Sequence, residues 1–184
     1  SSELELDNNK LRVLKETLQQ QADRDALTGL PNRKLFRDRL SQSIEWASNN
    51  KKLVGLLFLD LNGFKSINDT KGHGIGDLLL KGVAERLEGS LRGSDTVSRL
   101  GGDEFTVILP GIPNEAIART VADKIKNTID KPFELEGHVI RVTTSIGISL
   151  YPNDAEDIDA LIDRADVAMY EDKRRSKQGD RDRN

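Results

Sequence analysis

The hydrophobic residues of this chain follow two different periods, and these periods predict the order of its elements. Residues 53–59, LVGLLFL, form an unbroken apolar run of the kind found in a central strand that is covered on both faces. TVSRL and EFTVILP flank Gly101-Gly102, a pair that favours a tight hairpin because both residues can adopt positive φ. VIRVTTSIGISLYP alternates as a further strand, and apolar residues three or four apart predict helices between these runs.

The predicted order is helix, strand, helix, hairpin, helix, strand, helix. This order indicates one α/β (α+β) domain with a central, mainly antiparallel sheet flanked by helices. The last helix is expected from about Asp157 to Lys173. The polar stretch that follows it, ending in residues 178–184, is expected to be a frayed tail or a linker.

A separate pattern occupies residues 1–24. Leu4, Leu11 and Leu18 recur every seven positions and Leu14 adds an intervening position, so a narrow apolar seam is predicted along one helix. Polar residues interrupt the seam, which spans only about three heptads. We interpret the segment as a helical stalk that pairs with a second copy as a coiled coil; the alternative is a helix that packs on its own domain.

Composition excludes several classes of function. Lys+Arg total 28 and Asp+Glu total 31, and this net charge of −3 argues against generic binding to nucleic acid or to an anionic membrane, although a local pocket for phosphates is not excluded. The chain has no cysteine, and His73 and His138 alone seldom make a zinc site. No apolar run approaches the roughly 20 residues of a membrane span. We expect a cytoplasmic domain, with any membrane anchor upstream of it.

Acidic residues stand at the ends of two predicted strands. Asp60 ends the most apolar run, and Asp103 and Glu104 follow the Gly-Gly turn. If the hairpin lies beside the first strand, the three carboxylates converge and can bind Mg²⁺ together with substrate phosphates. The alternative is a solvated hairpin tip whose acids are incidental.

The stretch FLDLNGFKSINDTKGHGIGD at 58–77 adds residues suited to a nucleotide. Lys65 can stabilise charge that develops on a phosphate, and Asn68 and Asp77 have the acceptors and donors that read a guanine edge. The spacing of its glycines does not fit GxGxxG, and no GK[ST] follows, so we reject Rossmann and P-loop interpretations.

Three motifs together resemble the GGDEF family of diguanylate cyclases. They are DALTGLPNR at 25–33, the stretch at 58–77 and RLGGDEF at 99–105, and the resemblance covers roughly residues 25–177. It implies a catalytic domain related to nucleotide cyclases and polymerase palm domains. It also implies a reaction in which two GTP molecules condense to cyclic di-GMP and two pyrophosphates.

The resemblance also implies roles for individual residues. Two Mg²⁺ ions per active site, with Mn²⁺ as an alternative, would be held by Asp60, the Leu61 carbonyl, Asp103 and Glu104. Asp103 would accept the proton of the attacking 3′-hydroxyl, and Lys65 would stabilise developing charge. The substrate would be bound by Phe64, Asn68, Asp77, Lys173 and Lys177. The two last lysines have an alternative interpretation as solvated charges at a helix end.

Catalysis in this family needs two chains, because each domain holds one GTP. A homodimer is therefore expected, and the stalk would raise the effective concentration of the second half-site. Arg92 and Asp95 form an RxxD just before the hairpin, the family's site for inhibition by bound product. A surface ion pair is the alternative for these two residues. The alternative for the whole domain is an inactive sensor of GTP or cyclic di-GMP.

Two departures from the family pattern are visible. Asn62 stands where a second aspartate is usual, although Asp60 is retained. The last helix reads DKRRSKQ, with Asp172 and Lys177 in place of the alanine and arginine of the usual AKxxGRN. Because lysine cannot grip phosphate in the bidentate manner of arginine, a weaker contact is expected at Lys177.

Overall fold

The computed structural model describes residues 2–183, and within them helices and strands alternate along the chain. Their order is α1 (Ser2–Asp23), α2 (Arg33–Asn50), β1 (Leu53–Asn62), α3 (Phe64–Lys71), α4 (His73–Gly89), β2 (Thr96–Gly101), β3 (Glu104–Ile112), α5 (Glu115–Ile129), β4 (Phe133–Leu135), β5 (His138–Ile140), β6 (Thr143–Tyr151) and α6 (Ile158–Arg183).

Four of the strands form the central sheet in the order β2-β3-β1-β6, and every pairing is antiparallel. The apolar run in β1 is buried on both faces because alternate side chains point to two helical layers. Leu57 and Leu59 pack with α4 and α5, whereas Leu56 and Phe58 pack with α2 and α6. The predicted fold class, an antiparallel sheet flanked by helices, is confirmed.

Helix α1 is the predicted N-terminal helix, and none of its residues is buried. Its seam leucines are half-exposed or more, from 50% at Leu11 to 67% at Leu4. Asn32 forms the joint between α1 and the domain: its side chain accepts the Leu35 N–H at 3.1 Å and donates to the Ala22 carbonyl at 2.7 Å. Asn32 therefore caps the start of α2. Pairing of α1 with a second copy stays a prediction, and Ser1 lies outside the described residues.

Helix α6 is longer than the sequence pattern predicted. It continues past Lys173 to Arg183, so the expected frayed tail is helical over residues 178–183. Arg, Lys and Gln are good helix formers, and the single Gly179 costs only about 1 kcal/mol in a helix interior. Asn184 lies outside the described residues, and the predicted boundary of the catalytic domain at residue 177 stays untested.

Two small elements were not predicted. Helix α3 lies between β1 and α4, within the stretch at 58–77. The alternating run before Tyr151 is not one strand, because β4 and β5 form a separate hairpin. Glu136 and Gly137 both have positive φ and make its two-residue turn. Apolar alternation runs across this break, and the period therefore cannot reveal it.

Helix α6 approaches the sheet most closely at Gly147 of β6. A Cβ there would overlap the Ala165 carbonyl oxygen and the Met169 nitrogen. Only glycine permits the helix backbone to lie this near the strand. Within residues 2–183, no helix combines the length and the apolar character that a membrane crossing needs.

Candidate active site

The candidate site lies where β1 ends and the β2–β3 hairpin turns. Asp60 of β1 is directly opposite Glu104 of β3, so both point to the face that carries α2 and α6. Gly101 and Gly102 have φ values of +134° and +51°, which L side chains rarely adopt. They reverse the chain in the shortest distance and deliver Asp103 to the start of β3, beside Asp60.

The electrostatic environment of Asp103 is unfavourable to its negative charge. Burial raises the pKa of Asp103 to about 7, and the hydrogen bond and the charge of neighbouring Asp60 act in the same direction. A backbone hydrogen bond and the positive charge of Lys173 oppose this rise without cancelling it. The two aspartates therefore compete for too few positive partners.

Lys173 is the cation closest to this pair. Its Nζ donates to Asp60 Oδ2 at 2.6 Å, and both side chains are largely withdrawn from solvent. The other oxygen, Asp60 Oδ1, is buried without a hydrogen-bond partner. Burial also raises the pKa of Glu104, with further contributions from the charges of Asp166 and Asp60. The positive charges of Lys173 and Arg33 thus face a larger number of carboxylates.

These donors fit a hard divalent cation in their chemistry. An orphaned carboxylate oxygen on Asp60, next to Asp103 and opposite Glu104, is the oxygen-only set that Mg²⁺ prefers. Across residues 2–183, however, no three acidic or histidine side chains already surround a common point. Lys173 occupies one oxygen of Asp60. The three predicted carboxylates therefore converge only in part: Asp60 and Asp103 are adjacent, and Glu104 lies opposite Asp60 on the neighbouring strand. Binding of an ion would require these side chains to rearrange.

Leu61 and Asn62 complete the end of β1 in different ways. The Leu61 side chain is buried on the opposite face of the sheet, which leaves only its carbonyl for the predicted role. Asn62 donates to the Thr143 hydroxyl at 3.0 Å, and its Oδ1 accepts from Ser145 at 3.0 Å. Where the family pattern has an aspartate, this amide is therefore held by β6.

The predicted substrate-binding residues lie on α3 and α4. Phe64 and Asn68 pack against Gly76, where a Cβ would overlap Asn68 Oδ1. That oxygen is buried without a hydrogen-bond partner. Lys65 and Asp77 are exposed on the same two helices. Lys177 is exposed one turn beyond Lys173 on α6, away from any contact that defines its role.

The RxxD lies in the loop between α4 and β2, apart from the acidic pair. Arg92 donates to Asp95 Oδ1 at 3.0 Å through its guanidinium and to Oδ2 at 2.9 Å through its backbone N–H. The Asp95 side chain is only 2% exposed, and its hydrogen bond and charge raise the pKa of Arg92. The two residues form an ion pair in this structure, and their role as a product site stays a prediction. Beside it lies a cavity of about 250 Å³ that Arg24 and Arg39 also line.

Sequence reasoning missed two charged contacts near the site. Arg99 Nη1 donates to Asp25 Oδ1 at 2.8 Å and ties the chain before α2 to the hairpin. Asp172 accepts from Lys126 at 2.7 Å, beside the Lys173–Asp60 pair. Both partners of each pair are far apart in the sequence, and no local period relates them. The departure of Asp172 from the family pattern was the only signal available.

The fold and the acidic hairpin together define a nucleotide-cyclase type of domain, an antiparallel sheet with helices on both faces and carboxylates at one end. The chain belongs to the GGDEF family, since the family model described as diguanylate cyclase, GGDEF domain, matches residues 22–179.

Relatives from bacteria agree with this assignment. The bifunctional diguanylate cyclase/cyclic di-GMP phosphodiesterase MucR of Pseudomonas aeruginosa is 44% identical over 84% of this chain, which covers 22% of MucR. The diguanylate cyclase TpbB of the same species is 42% identical over 95% of this chain and 40% of TpbB. The chain thus spans less than half the length of either protein.

Solved structures show the same fold. The GGDEF domain of TpbB superimposes with a TM-score of 0.81 at 43% identity, over 83% of this chain and 89% of that one. The coiled coil and GGDEF domain of DgcB from Caulobacter crescentus, solved with cyclic di-GMP, gives a TM-score of 0.85 at 27% identity. That match covers 94% of this chain and 92% of DgcB's, so it includes at least part of the N-terminal helix.

Proposed function

We propose that this chain is a diguanylate cyclase that joins two GTP molecules into cyclic di-GMP and releases two pyrophosphates. The observation that carries the proposal is the under-neutralised pair of Asp60 and Asp103 at the end of the sheet, beside Lys173. Two carboxylates this close together destabilise the folded chain, and such pairs are expected at sites where a bound cation offsets their charge. The intact Gly101-Phe105 signature favours the enzyme over an inactive sensor.

Each of the two condensations forms one bond and breaks one. The 3′-oxygen of one GTP bonds to the α-phosphorus of the other, the bond to pyrophosphate breaks, and the 3′-hydroxyl proton leaves. Asp103, at the tip of the hairpin, is the residue we assign to accept that proton. When bound by Asp60, Asp103 and Glu104, Mg²⁺ or Mn²⁺ would neutralise phosphate charge and activate the hydroxyl.

The remaining residues bind and orient the nucleotide. Asn68 and Asp77 would hydrogen-bond to guanine, with Phe64 forming the apolar side of that pocket. Lys65 and Lys173 would offset the charge on the phosphates during transfer. Lys177, one turn further along α6, would add a weaker phosphate contact than the arginine of the family pattern.

A homodimer completes the proposed mechanism, because one chain holds one GTP and both bonds require two. Placing two half-sites face to face turns the reaction into one of positioning. The exposed leucines of α1 support a stalk that brings two chains together. The likeness to the DgcB structure with its coiled coil agrees with this arrangement.

The decisive experiment is incubation of the purified chain with GTP and MgCl₂ over a range of protein concentrations, with chromatographic identification of the products. We expect cyclic di-GMP, a specific activity that rises with concentration as dimers form, and no product from Asp103→Ala. Absence of product from folded, concentrated protein that still binds GTP or cyclic di-GMP would support the sensor alternative instead.

The proposed inhibitory site at Arg92 and Asp95 has its own test. Product would compete with the Arg92–Asp95 pair for the guanidinium, which can bind phosphate or stack on guanine. Arg92→Ala is expected to raise the cyclic di-GMP concentration needed for half-inhibition by at least about tenfold, the effect of losing one charged contact of about 1.4 kcal/mol. Arg119→Ala, at an exposed ion pair on α5, serves as the control.

A further inference from the structure

Asp172 is held in place by two contacts that leave the helix on which it lies. Its Oδ2 accepts from Lys126 Nζ at 2.7 Å and from the Ile146 backbone N–H at 2.9 Å. Lys126 belongs to α5 and Ile146 to β6. The Asp172 side chain is 19% exposed, so these contacts are only partly accessible to water. One carboxylate oxygen thus joins α6 to a strand and to another helix.

The position of this anchor in the sheet is specific. Helices α5 and α6 pack on opposite faces, so the Asp172–Lys126 contact passes around the free edge of β6. Ile146 is paired with Leu59 of β1, and its neighbour Ser145 is paired with Asp60. The anchor therefore fixes α6 at the level of the sheet where the acidic pair lies.

The next residue of α6 reaches the acidic pair itself. Lys173 is displaced from Asp172 by about 100° around the helix and about 1.5 Å along it. This separation directs Lys173 inward to Asp60 Oδ2, at 2.6 Å, while Asp172 faces the sheet edge.

We propose that Asp172 is a positioning residue, which holds α6 against β6 and α5 and thereby sets Lys173 against Asp60. The usual motif of the family has alanine at this position, so the anchor is a feature of this chain and is absent from that motif. The close contact at Gly147 seats the helix one turn earlier but constrains its distance from the sheet more than its rotation. Asp172 supplies the constraint on rotation.

The effect of Asp172 on turnover rests on the proposed cyclase activity, whereas its effect on the position of Lys173 does not. Lys173 amine reactivity is therefore measured first, by pulse labelling of the full chain with acetic anhydride and mass spectrometry. Lys177, exposed on the same helix, is the internal reference. Asp172→Ala is expected to raise Lys173 labelling relative to Lys177 severalfold, and Glu171→Ala, at an exposed neighbour, is expected to leave it unchanged.

Turnover then tests whether Asp172 acts through Lys173. Asp172→Ala is expected to lower kcat/KM for GTP about tenfold, and Asp172→Asn, which can still accept the Ile146 N–H, to lower it less. In a Lys173→Met background, Asp172→Ala is expected to add no further loss, because the two residues act as one unit. Asp172→Asn also replaces Asp172→Ala in every comparison if the alanine variant does not fold.

Two results would overturn the proposal. One is unchanged Lys173 labelling in Asp172→Ala and Asp172→Asn. The other is an Asp172→Ala loss of the same size with and without Lys173, which would indicate a role in overall folding alone. A wild-type chain that makes no cyclic di-GMP, yet shows the labelling change, would contradict the proposed activity and leave the positioning role supported.

Discussion

Asp25 and Asp103 both lie near the β2–β3 hairpin, but hydrogen-bond donors surround the carboxylate of Asp25 and another carboxylate lies beside that of Asp103. Asp25 accepts from the Thr28 N–H at 2.9 Å, from the Thr28 hydroxyl at 2.7 Å and from Arg99 at 2.8 Å. Asp103 lies beside another aspartate, Asp60, and Lys173 is bonded to that neighbour. Both oxygens of Asp25 therefore accept hydrogen bonds, whereas Asp103 shares the positive charge of Lys173 with Asp60.

The difference appears in the acidity of the two groups. Burial alone would raise the pKa of Asp25, but the Thr28 hydrogen bonds and Arg99 outweigh it and lower the pKa below its usual value. For Asp103, burial and Asp60 act together, and the pKa rises to about 7. The comparison teaches that a satisfied carboxylate stabilises the fold, while a crowded one costs stability and marks a site for a ligand.

The largest expected effect comes from removing the charge at the crowded end. Asp103→Asn is expected to lower cyclic di-GMP formation by at least about 100-fold, the usual contribution of a general base. Its Tm is expected to stay the same or rise, because a repulsive charge beside Asp60 is removed. Product analysis and thermal melts of the same preparation measure both effects. A variant that loses activity together with several degrees of Tm would make Asp103 a structural residue and remove the contrast with Asp25.

The matching substitution at Asp25 is expected to lower stability. Asp25→Asn removes the charged partner of Arg99, whose side chain is only 13% exposed, and is expected to destabilise the fold by about 1–3 kcal/mol. For a chain of this size, each kcal/mol lowers Tm by about 2–4 °C. Thermal melts beside Asp163→Asn, an exposed control on α6, test this expectation. A Tm within error of the wild type would show that the Thr28 contacts alone hold this loop.

The contribution of Asp25 to stability is expected to depend on pH. Because the folded-state pKa of Asp25 lies below its unfolded value of about 3.8, its stabilisation is complete above that pH and is lost as the pH falls through the lower, folded-state pKa. The stability difference between wild type and Asp25→Asn is therefore expected to be constant from pH 7 to about 5 and to shrink below about 4. Urea unfolding at a series of pH values measures it. A difference that persists at low pH would assign the effect to lost packing.

The smallest effect is expected from an ion pair outside both environments. Arg37 donates to Asp159 at 2.8 Å and links α2 to α6, but the two side chains are 42% and 79% exposed. Exposed pairs contribute about 0.2–1 kcal/mol, so Arg37→Gln is expected to shift Tm by no more than about 4 °C and to leave turnover unchanged. Melts at low and high salt check this, because a screened pair loses its contribution as salt rises. A larger shift would mean that the α2–α6 layer depends on this contact.

Local pattern predicted most of the fold. The apolar run at 53–59 and the Gly101-Gly102 turn are each recognisable within a few residues, and each occurs where it was expected. Helix α3 and the β4–β5 hairpin were missed because short elements carry too few periods to stand out. The end of α6 was misplaced because a polar helix and a polar tail have similar composition.

The acidic residues of the candidate site were predicted from the sequence, but the cations that contact them were not. The antiparallel pairing of β1 with β3 brings Asp60 and Glu104 opposite each other, which the sequence predicted only on the condition that the hairpin lies beside the first strand. The ion pair of Asp60 with Lys173 joins residues 113 positions apart, and the anchor of Asp172 depends on an unpaired N–H at the free edge of β6. Which cation meets which carboxylate depends on how α6 lies across the sheet. Side-chain contacts of that range are set by packing, and no local period encodes them.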